Sequence, residues 1–418
     1  MKNDSFMRIS NDIIEDQIKE LSQLVFEVTD SCNLKCKYCG YGEFYEDHDE
    51  RANQSLPVEK AIRLLDYLKK FWQSNRNNSY SQQVYISFYG GEPLLNMGFI
   101  RRIVAYVELL KIPMKKFAFS MTTNAMLLHK HIDYLIEKDF RLLISLDGNE
   151  KNHSYRVTHS GDNSFKKVFH NVQLVKQKNP KFFESNINFN SVLHNRNNVE
   201  EVHEFIKKEF GKKPRIAELN SMGIREAKKE LFTETYRNKY ESLHQSENYE
   251  EIQNDLFIES PDIQQLGIFL HHYSGNVFRS YNDLLFDNDR KDILPTGTCL
   301  PFKRKMFVTV TGKILPCERI GHQFTLGQVT NTGVILDFEE IAARYNTWFS
   351  KLIPQCSRCH NTKACVQCIF NLDDLDAKPV CKGFMKKEIL QRYVGSQMEY
   401  LGKNPHLYQK IMDEVIIR

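Results

Sequence analysis

Ten cysteines fall in two fields, and the long interval between them holds none. Three stand in Cys32-Asn-Leu-Lys-Cys36-Lys-Tyr-Cys39, and seven lie between Cys299 and Cys381. A disulfide framework spreads its cysteines along a secreted chain, so two tight fields point to metal. The first field follows the apolar run Leu24-Val25-Phe26-Glu27-Val28-Thr29, which reads as a strand. Three thiolates on a short polar loop suit an iron–sulfur cubane with one iron left open for a ligand. On the triplet alone, zinc with a fourth ligand from elsewhere and plain packing of small apolar thiols stay open as readings.

The cysteine-free interval is an alternation of strands and helices. Strands are expected at Leu24–Thr29, Gln83–Tyr89, Lys116–Thr122, Arg141–Leu146, Asn186–Leu193 and Arg215–Leu219. Helices are expected at Pro57–Trp72, Met97–Lys111, His129–Lys138, Phe165–Lys178 and Asn198–Phe210. In the first of these, Ala61, Leu64, Leu65, Leu68 and Phe71 share one helical face. Strands alternating with helices imply βα units and a parallel sheet, either a partial barrel or a doubly wound sheet. Either way the active site gathers at the C-terminal strand ends.

At 418 residues the chain exceeds one ordinary core. Its 41% hydrophobic and 26% charged content fit a globular protein. The net charge of +4 gives no argument for nucleic acid or a membrane surface. No run has the length of a membrane span, and the first thirty residues carry charges throughout with no signal-peptide core, so a cytoplasmic location is expected.

The strand-end loops carry unusual residues. Gly90-Gly91-Glu92-Pro93 follows the second strand, where two glycines admit close approach and Glu92 adds a carboxylate. Thr122-Thr123-Asn124 follows the third and reads equally as a capping turn. Ser145-Leu146-Asp147-Gly148 ends the fourth, where Asp147-Gly148 reads as a turn. In this order, and behind the C-x3-C-x2-C loop, these motifs resemble the radical SAM superfamily. The resemblance implies a partial (β/α)6 TIM-type barrel whose first cluster, on Cys32, Cys36 and Cys39, cleaves S-adenosylmethionine (SAM). It further implies Tyr38 near the adenine, Gly90, Gly91, Glu92 and Pro93 receiving the methionine amino group, and Asn124 near the SAM site. Ser145 would bond the ribose, Arg156 would grip the carboxylate, and Val192 and Leu193 would cover the adenine.

The second field reads Cys299-x12-Gly312-x4-Cys317, Cys356-x2-Cys359-x5-Cys365-x2-Cys368, then Cys381. Paired C-x2-C knuckles in isolation equally suggest zinc. After a radical SAM barrel the order resembles the cysteine-rich SPASM domain with two auxiliary clusters, three [4Fe-4S] clusters in all. That resemblance assigns Cys356, Cys359, Cys365 and Cys381 to the distal cluster and Cys299, Cys317 and Cys368 to the proximal one. The last pair is separated by two residues where the pattern usually has three, which bears on Cys368. Glu318, beside Cys317, resembles an acid that takes a proton in sulfatase-maturating relatives, and a salt bridge to a neighbouring lysine or arginine is the structural alternative.

The expected organisation is a lead-in at 1–20, a barrel at 21–225, a helical bridge at 226–295, a SPASM domain at 296–385 and a helical segment at 386–418. The resemblance implies a maturase that installs a thioether or carbon-linked crosslink in a ribosomal precursor peptide. Sulfatase maturation, oxidising Cys or Ser to formylglycine, is the second expectation, and a non-enzymatic zinc-binding module the third. Expected partners are the precursor peptide and a reductant such as flavodoxin or ferredoxin; since only 31 residues precede Cys32, either a separate protein recognises the leader or the barrel binds the peptide directly.

Overall fold

The computed structural model describes residues 6–74, 82–274 and 294–415. Parts of the expected lead-in (1–5), bridge (275–293) and C-terminal segment (416–418), and residues 75–81 of the expected barrel, lie outside the described residues. The chain divides into two compact units, one of Ile14–Asp255 with Pro301–Asp337, the other of Met1–Ile13, Leu256–Leu300 and Phe338–Arg418.

The first unit holds a ten-stranded sheet. Its strands are β1 (Gln23–Thr29), β2 (Gln82–Gly90), β3 (Lys115–Thr123), β4 (Arg141–Ser145), β5 (Ile187–Val192), β6 (Arg215–Ala217), β7 (Met306–Val308), β8 (Lys313–Leu315), β9 (Gly327–Val329) and β10 (Val334–Ile335). The order is β10-β9-β8-β7-β1-β2-β3-β4-β5-β6. Strands β1 to β6 run parallel, with Phe26 opposite Phe88, Phe88 opposite Met121 and Leu142 opposite Ile187. They form the six-strand βα core expected from the alternation. The sheet also continues past β1: β7 joins β1 in parallel, Val25 opposite Phe307, and β8 to β10 follow as an antiparallel meander.

Alternation along β2 explains the layering. Val84, Ile86 and Phe88 are buried against the helical layer, where Phe88 and Phe26 both meet Phe99 at 6.5 and 6.0 Å between ring centroids. Phe88 also stacks on Phe140 at 5.8 Å. Truncating such a residue costs about 3–5 kcal/mol. The face of the sheet turned away from these helices carries a ladder of polar side chains beside Val25 and Phe307. Gln23 Nε2 donates to Ser87 Oγ at 2.8 Å, and Ser87 Oγ lies 2.6 Å from Ser120 Oγ. Parallel sheets are covered on both faces and read as apolar runs, so this polar ladder suits a face that lines a cleft.

Helices flank the strands as their apolar faces require. Val58–Ser74 buries Ala61, Leu64, Leu65, Leu68 and Trp72. Val199–Phe210 starts on Asn198, whose side chain accepts the Glu201 N–H, and ends at left-handed Gly211. In the second unit, Pro261–His272 packs Ile263, Leu266, Phe269 and Leu270 against Leu407 and Ile411. The second unit also contains the 19-residue helix Phe338–Cys356, whose Tyr345, Trp348 and Phe349 are buried.

Candidate active site

The cysteine loop leaves β1 at Thr29 and is bound at both flanks. Asp30 accepts the N–H groups of Ala52 and Gln54 at 2.8 and 2.7 Å, which closes residues 30–54 into a compact excursion. On the far side, Lys35 and Lys37 donate their N–H groups to Val157 and Tyr155 at 2.7 and 3.1 Å. The loop lies against the β2 end so closely that a Cβ on Gly91 would stand 2.0 Å from the Ser31 carbonyl, and one on Gly90 2.3 Å from the Thr29 carbonyl. Gly90 also has φ +130°, outside the range of other residues. Both glycines are therefore needed to let β2 meet the loop.

Donors meet two of the three sulfurs. Cys32 Sγ accepts from Leu34 N–H at 3.4 Å and lies 3.7 Å from Asn124 Nδ2. Cys39 Sγ accepts from Arg51 Nη2 at 3.3 Å. Burial pushes the Cys32 thiol up to about 11 and Cys36 up to about 12, so these groups become thiolates at neutral pH only beside a cation or metal. Three thiols on one loop, with polar hydrogens aimed at the sulfurs of Cys32 and Cys39, fit the ligand set of a cluster with hydrogen-bonded sulfurs.

Glu92 is fully buried and ties two strand ends together. One carboxylate oxygen takes Leu94 N–H at 3.1 Å and Thr123 Oγ1 at 2.7 Å, and the other takes Asn124 N–H at 2.8 Å. Burial raises its pKa to about 7 against these three hydrogen bonds. Asn124 continues the chain of contacts by donating to Asn33 Oδ1 at 2.8 Å. Pro93, behind Glu92, is buried and opens a short helical turn.

At the β4 end the structure departs from the sequence reading of Asp147 and Arg156. Asp147 is fully buried, and Arg156 grips it through Nε and Nη2, each at 2.9 Å. Asp147 also accepts Val192 N–H at 2.9 Å and the Tyr38 hydroxyl. Burial alone would raise its pKa, but the Arg156 charge with hydrogen bonds from His194 and Arg156 holds it well below the usual carboxylate range. The carboxylate that Arg156 holds is thus the chain's own. Tyr38 stacks on His194 at 5.5 Å, and its hydroxyl is committed to Asp147. Ser145 is half-buried at the end of β4. Val192 is half-buried, whereas Leu193 is 0% exposed and belongs to the core.

Sequence reasoning missed a buried acid beneath the loop. Glu27 on β1 accepts Val310 N–H at 2.8 Å and the Tyr41 hydroxyl, and burial raises its pKa. The signal was a lone carboxylate inside an apolar strand. It links β1 to the segment after β7.

Glu318 lies beside Cys317 and forms a salt bridge with Lys305 at 2.9 Å. Burial acts to raise its pKa, but the Lys305 charge and hydrogen bond prevail and lower it. The structural alternative for this residue is therefore realised. Cys317 Sγ accepts from Arg319 N–H at 3.4 Å, and burial pushes its thiol up to about 12.

In the second unit, Cys356, Cys359, Cys365 and Cys381 line one pocket, with Thr296, Gln355, Thr362 and Phe384 around them. Cys359 Sγ accepts N–H groups from Asn361 and Met385 at 3.4 and 3.3 Å. A Cβ on Gly297 would stand 1.9 Å from the Cys365 carbonyl, so this segment too needs glycine. Burial raises the pKa of the Cys368 thiol, and the nearby Cys299 adds to the rise. Cys317 belongs to the other unit. Among the described residues, no three His, Cys, Asp or Glu side chains form a ready site for a lone metal ion. A cubane takes each thiolate on a different iron, so its ligands ring a volume instead of meeting at a point.

Residues 26–208 match the family described as the Radical SAM superfamily. The chain carries a radical SAM domain. Such a domain implies SAM and a four-iron cluster on the cysteine loop. Radical SAM cyclopropyl synthase TigE of Paramaledivibacter caminithermalis is 31% identical over 188 residues, 43% of this chain and 36% of that protein. The cysteine-type anaerobic sulfatase-maturating enzyme of Clostridium novyi is 26% identical over 196 residues, 46% of this chain and 49% of that one. The match thus spans half or less of either curated relative. The solved structure "Native anSMEcpe with bound AdoMet and Cp18Cys peptide" shares the fold, with a TM-score of 0.57, 19% identity and coverage of 94% of this chain and 99% of that one. Among the described residues no helix is long and apolar enough to cross a membrane.

Proposed function

We propose that this radical SAM domain serves a peptide maturase that installs a thioether or carbon-linked crosslink in a ribosomal precursor peptide. The observation that carries the radical chemistry is the junction of the cysteine loop with Gly90-Gly91-Glu92, locked by the Glu92 to Asn124 bond. When bound, cluster and SAM together supply a 5′-deoxyadenosyl radical that takes hydrogen from an unactivated carbon. The chain's own residues orient and shield. Cys32, Cys36 and Cys39 hold the cluster, and Glu92 with Gly90, Gly91 and Pro93 receives the SAM amino group. Asn124, Ser145, Tyr38 and Val192 border the nucleoside. Arg156 reaches SAM only by sharing its guanidinium with Asp147.

The four-cysteine pocket supports a distal auxiliary cluster, and the adjacency of Cys299 and Cys368 supports part of a proximal one. Auxiliary clusters would take the electron left on the product or bind the substrate. Glu318 would accept the substrate proton, with Lys305 tuning it. A peptide substrate, a small reductant protein and a leader-recognition partner belong to this reading.

The second reading, formylglycine formation in a sulfatase, is favoured by the fold shared along nearly the whole chain with anSMEcpe. Incubation of both peptide classes with enzyme and SAM separates the two. A crosslink, and formylglycine formed from serine, each lose two hydrogens, but only formylglycine is an aldehyde that a hydrazide traps. A hydrazide adduct on the product removes the crosslinking reading.

A further inference from the structure

The Asp147 carboxylate joins four segments of the chain, two of them remote from it in sequence. It holds the Tyr38 hydroxyl from the cysteine loop, the Arg156 guanidinium from the turn after β4, and the Val192 N–H from the end of β5. Asp147 itself lies two residues past the end of β4. The Arg156 guanidinium also lies 5.3 Å from the Tyr38 ring centre, and His194 stacks on the Tyr38 ring and comes within 3.9 Å of the Asp147 carboxylate. Asp147 and Arg156 are buried, at 0% and 7% exposure. A backbone strap runs beside the hub: Lys35 and Lys37 are bonded to Val157 and Tyr155, directly flanking Arg156. Tyr38 is the one side chain that the hub takes from between Cys36 and Cys39.

We propose that Asp147 is a positioning residue for the cysteine loop: held by Arg156, it fixes the Tyr38 hydroxyl and so sets the turn that carries Cys36 and Cys39. This rests on reading those cysteines as cluster ligands. A buried ion pair that served only to join β4 and β5 would not need the phenol. Outer partners of metal ligands act in this way, orienting groups they do not replace, and their loss costs about 10–100-fold in affinity or activity.

The test uses the full-length chain as wild type, Tyr38→Phe, Asp147→Asn and the double variant. Tyr38→Phe removes the phenol's bond and leaves the Asp147 to Arg156 pair intact, so it folds even where Asp147→Asn does not. Before reconstitution, alkylation rates of Cys36 and Cys39 are compared with that of Cys317, a half-buried thiol of the same unit. After anaerobic reconstitution, the EPR spectrum of the reduced cluster is recorded with and without SAM, and KM for SAM is separated from kcat. In Tyr38→Phe, alkylation of Cys36 and Cys39 rises about tenfold while Cys317 is unchanged, the SAM-induced EPR change is altered, and KM for SAM rises more than kcat falls. The double variant adds nothing to Asp147→Asn. Unchanged alkylation in Tyr38→Phe, a parallel rise at Cys317, or fully additive effects overturn the proposal. A wild type that takes up no iron sinks the cluster reading instead, and the alkylation comparison still decides the loop claim.

Discussion

The Glu92 carboxylate accepts the Asn124 backbone N–H at 2.8 Å, and through Asn124 the contact reaches Asn33 of the cysteine loop. One buried acid thus couples the ends of β2 and β3 to the candidate cluster site. The arrangement has a pH signature. The Glu92 pKa rises from an ordinary 4.5 to about 7, so its contribution to stability is fully present below about pH 4.5 and is lost as pH rises through about 7. At about 1.4 kcal/mol per pH unit this is on the order of 3 kcal/mol. Melting temperatures of wild type and Glu92→Gln between pH 4.5 and 8 check it: the wild type falls relative to the variant as pH rises. Parallel profiles would contradict the assignment.

Gly91→Ala forces a Cβ to within 2.0 Å of the Ser31 carbonyl, a backbone atom that cannot swing away. A cost of at least about 2 kcal/mol is expected, with loss of iron uptake. Gly395, in the helix Lys387–Lys403, has open space around it, so Gly395→Ala should stabilise by about 0.5–1 kcal/mol. Chemical denaturation of both variants makes the contrast. Equal effects would mean that β2 does not press on the loop as described.

Glu318 and Cys36 serve different steps in the proposed function. Cys36→Ala should abolish SAM cleavage. Glu318→Gln should leave SAM cleavage intact and slow peptide turnover by about 10²–10⁴-fold, the range for a lost general base. Quantifying 5′-deoxyadenosine and modified peptide in the same reaction separates the two. Normal peptide turnover in Glu318→Gln would remove it as the base and leave it as the partner of Lys305.

The parallel core was legible because β1 to β5 carry strong apolar or alternating runs and the intervening helices carry clear faces. The meander was not. β7 to β10 are two or three residues long, too short for periodicity, and β7 finds β1 from nearly three hundred residues away. The helix Phe338–Cys356 did carry a signal in Ile341, Tyr345, Trp348 and Leu352, overshadowed by the cysteines after it. At the site, the residue types at the strand ends could be read, but their partners could not. Asp147 looked like a turn residue because Asp-Gly favours turns, and only the folded chain brings Tyr38, Arg156 and Val192 to it.

The pocket of Cys356, Cys359, Cys365 and Cys381 predicts a separable cluster. Cys381→Ala should lower bound iron by about four per chain while SAM cleavage at the first loop persists. Iron and sulfide analysis of the reconstituted variant, beside a SAM cleavage assay, reads both. Unchanged iron would contradict a cluster in that pocket.

The most direct measurement is anaerobic reconstitution of the full-length chain with iron and sulfide, followed by metal analysis and an assay for 5′-deoxyadenosine after reduction in the presence of SAM. The account predicts iron with little zinc, and 5′-deoxyadenosine from the wild type and none from Cys36→Ala. Zinc without iron, or a reduced iron-loaded protein that leaves SAM uncleaved, would contradict it.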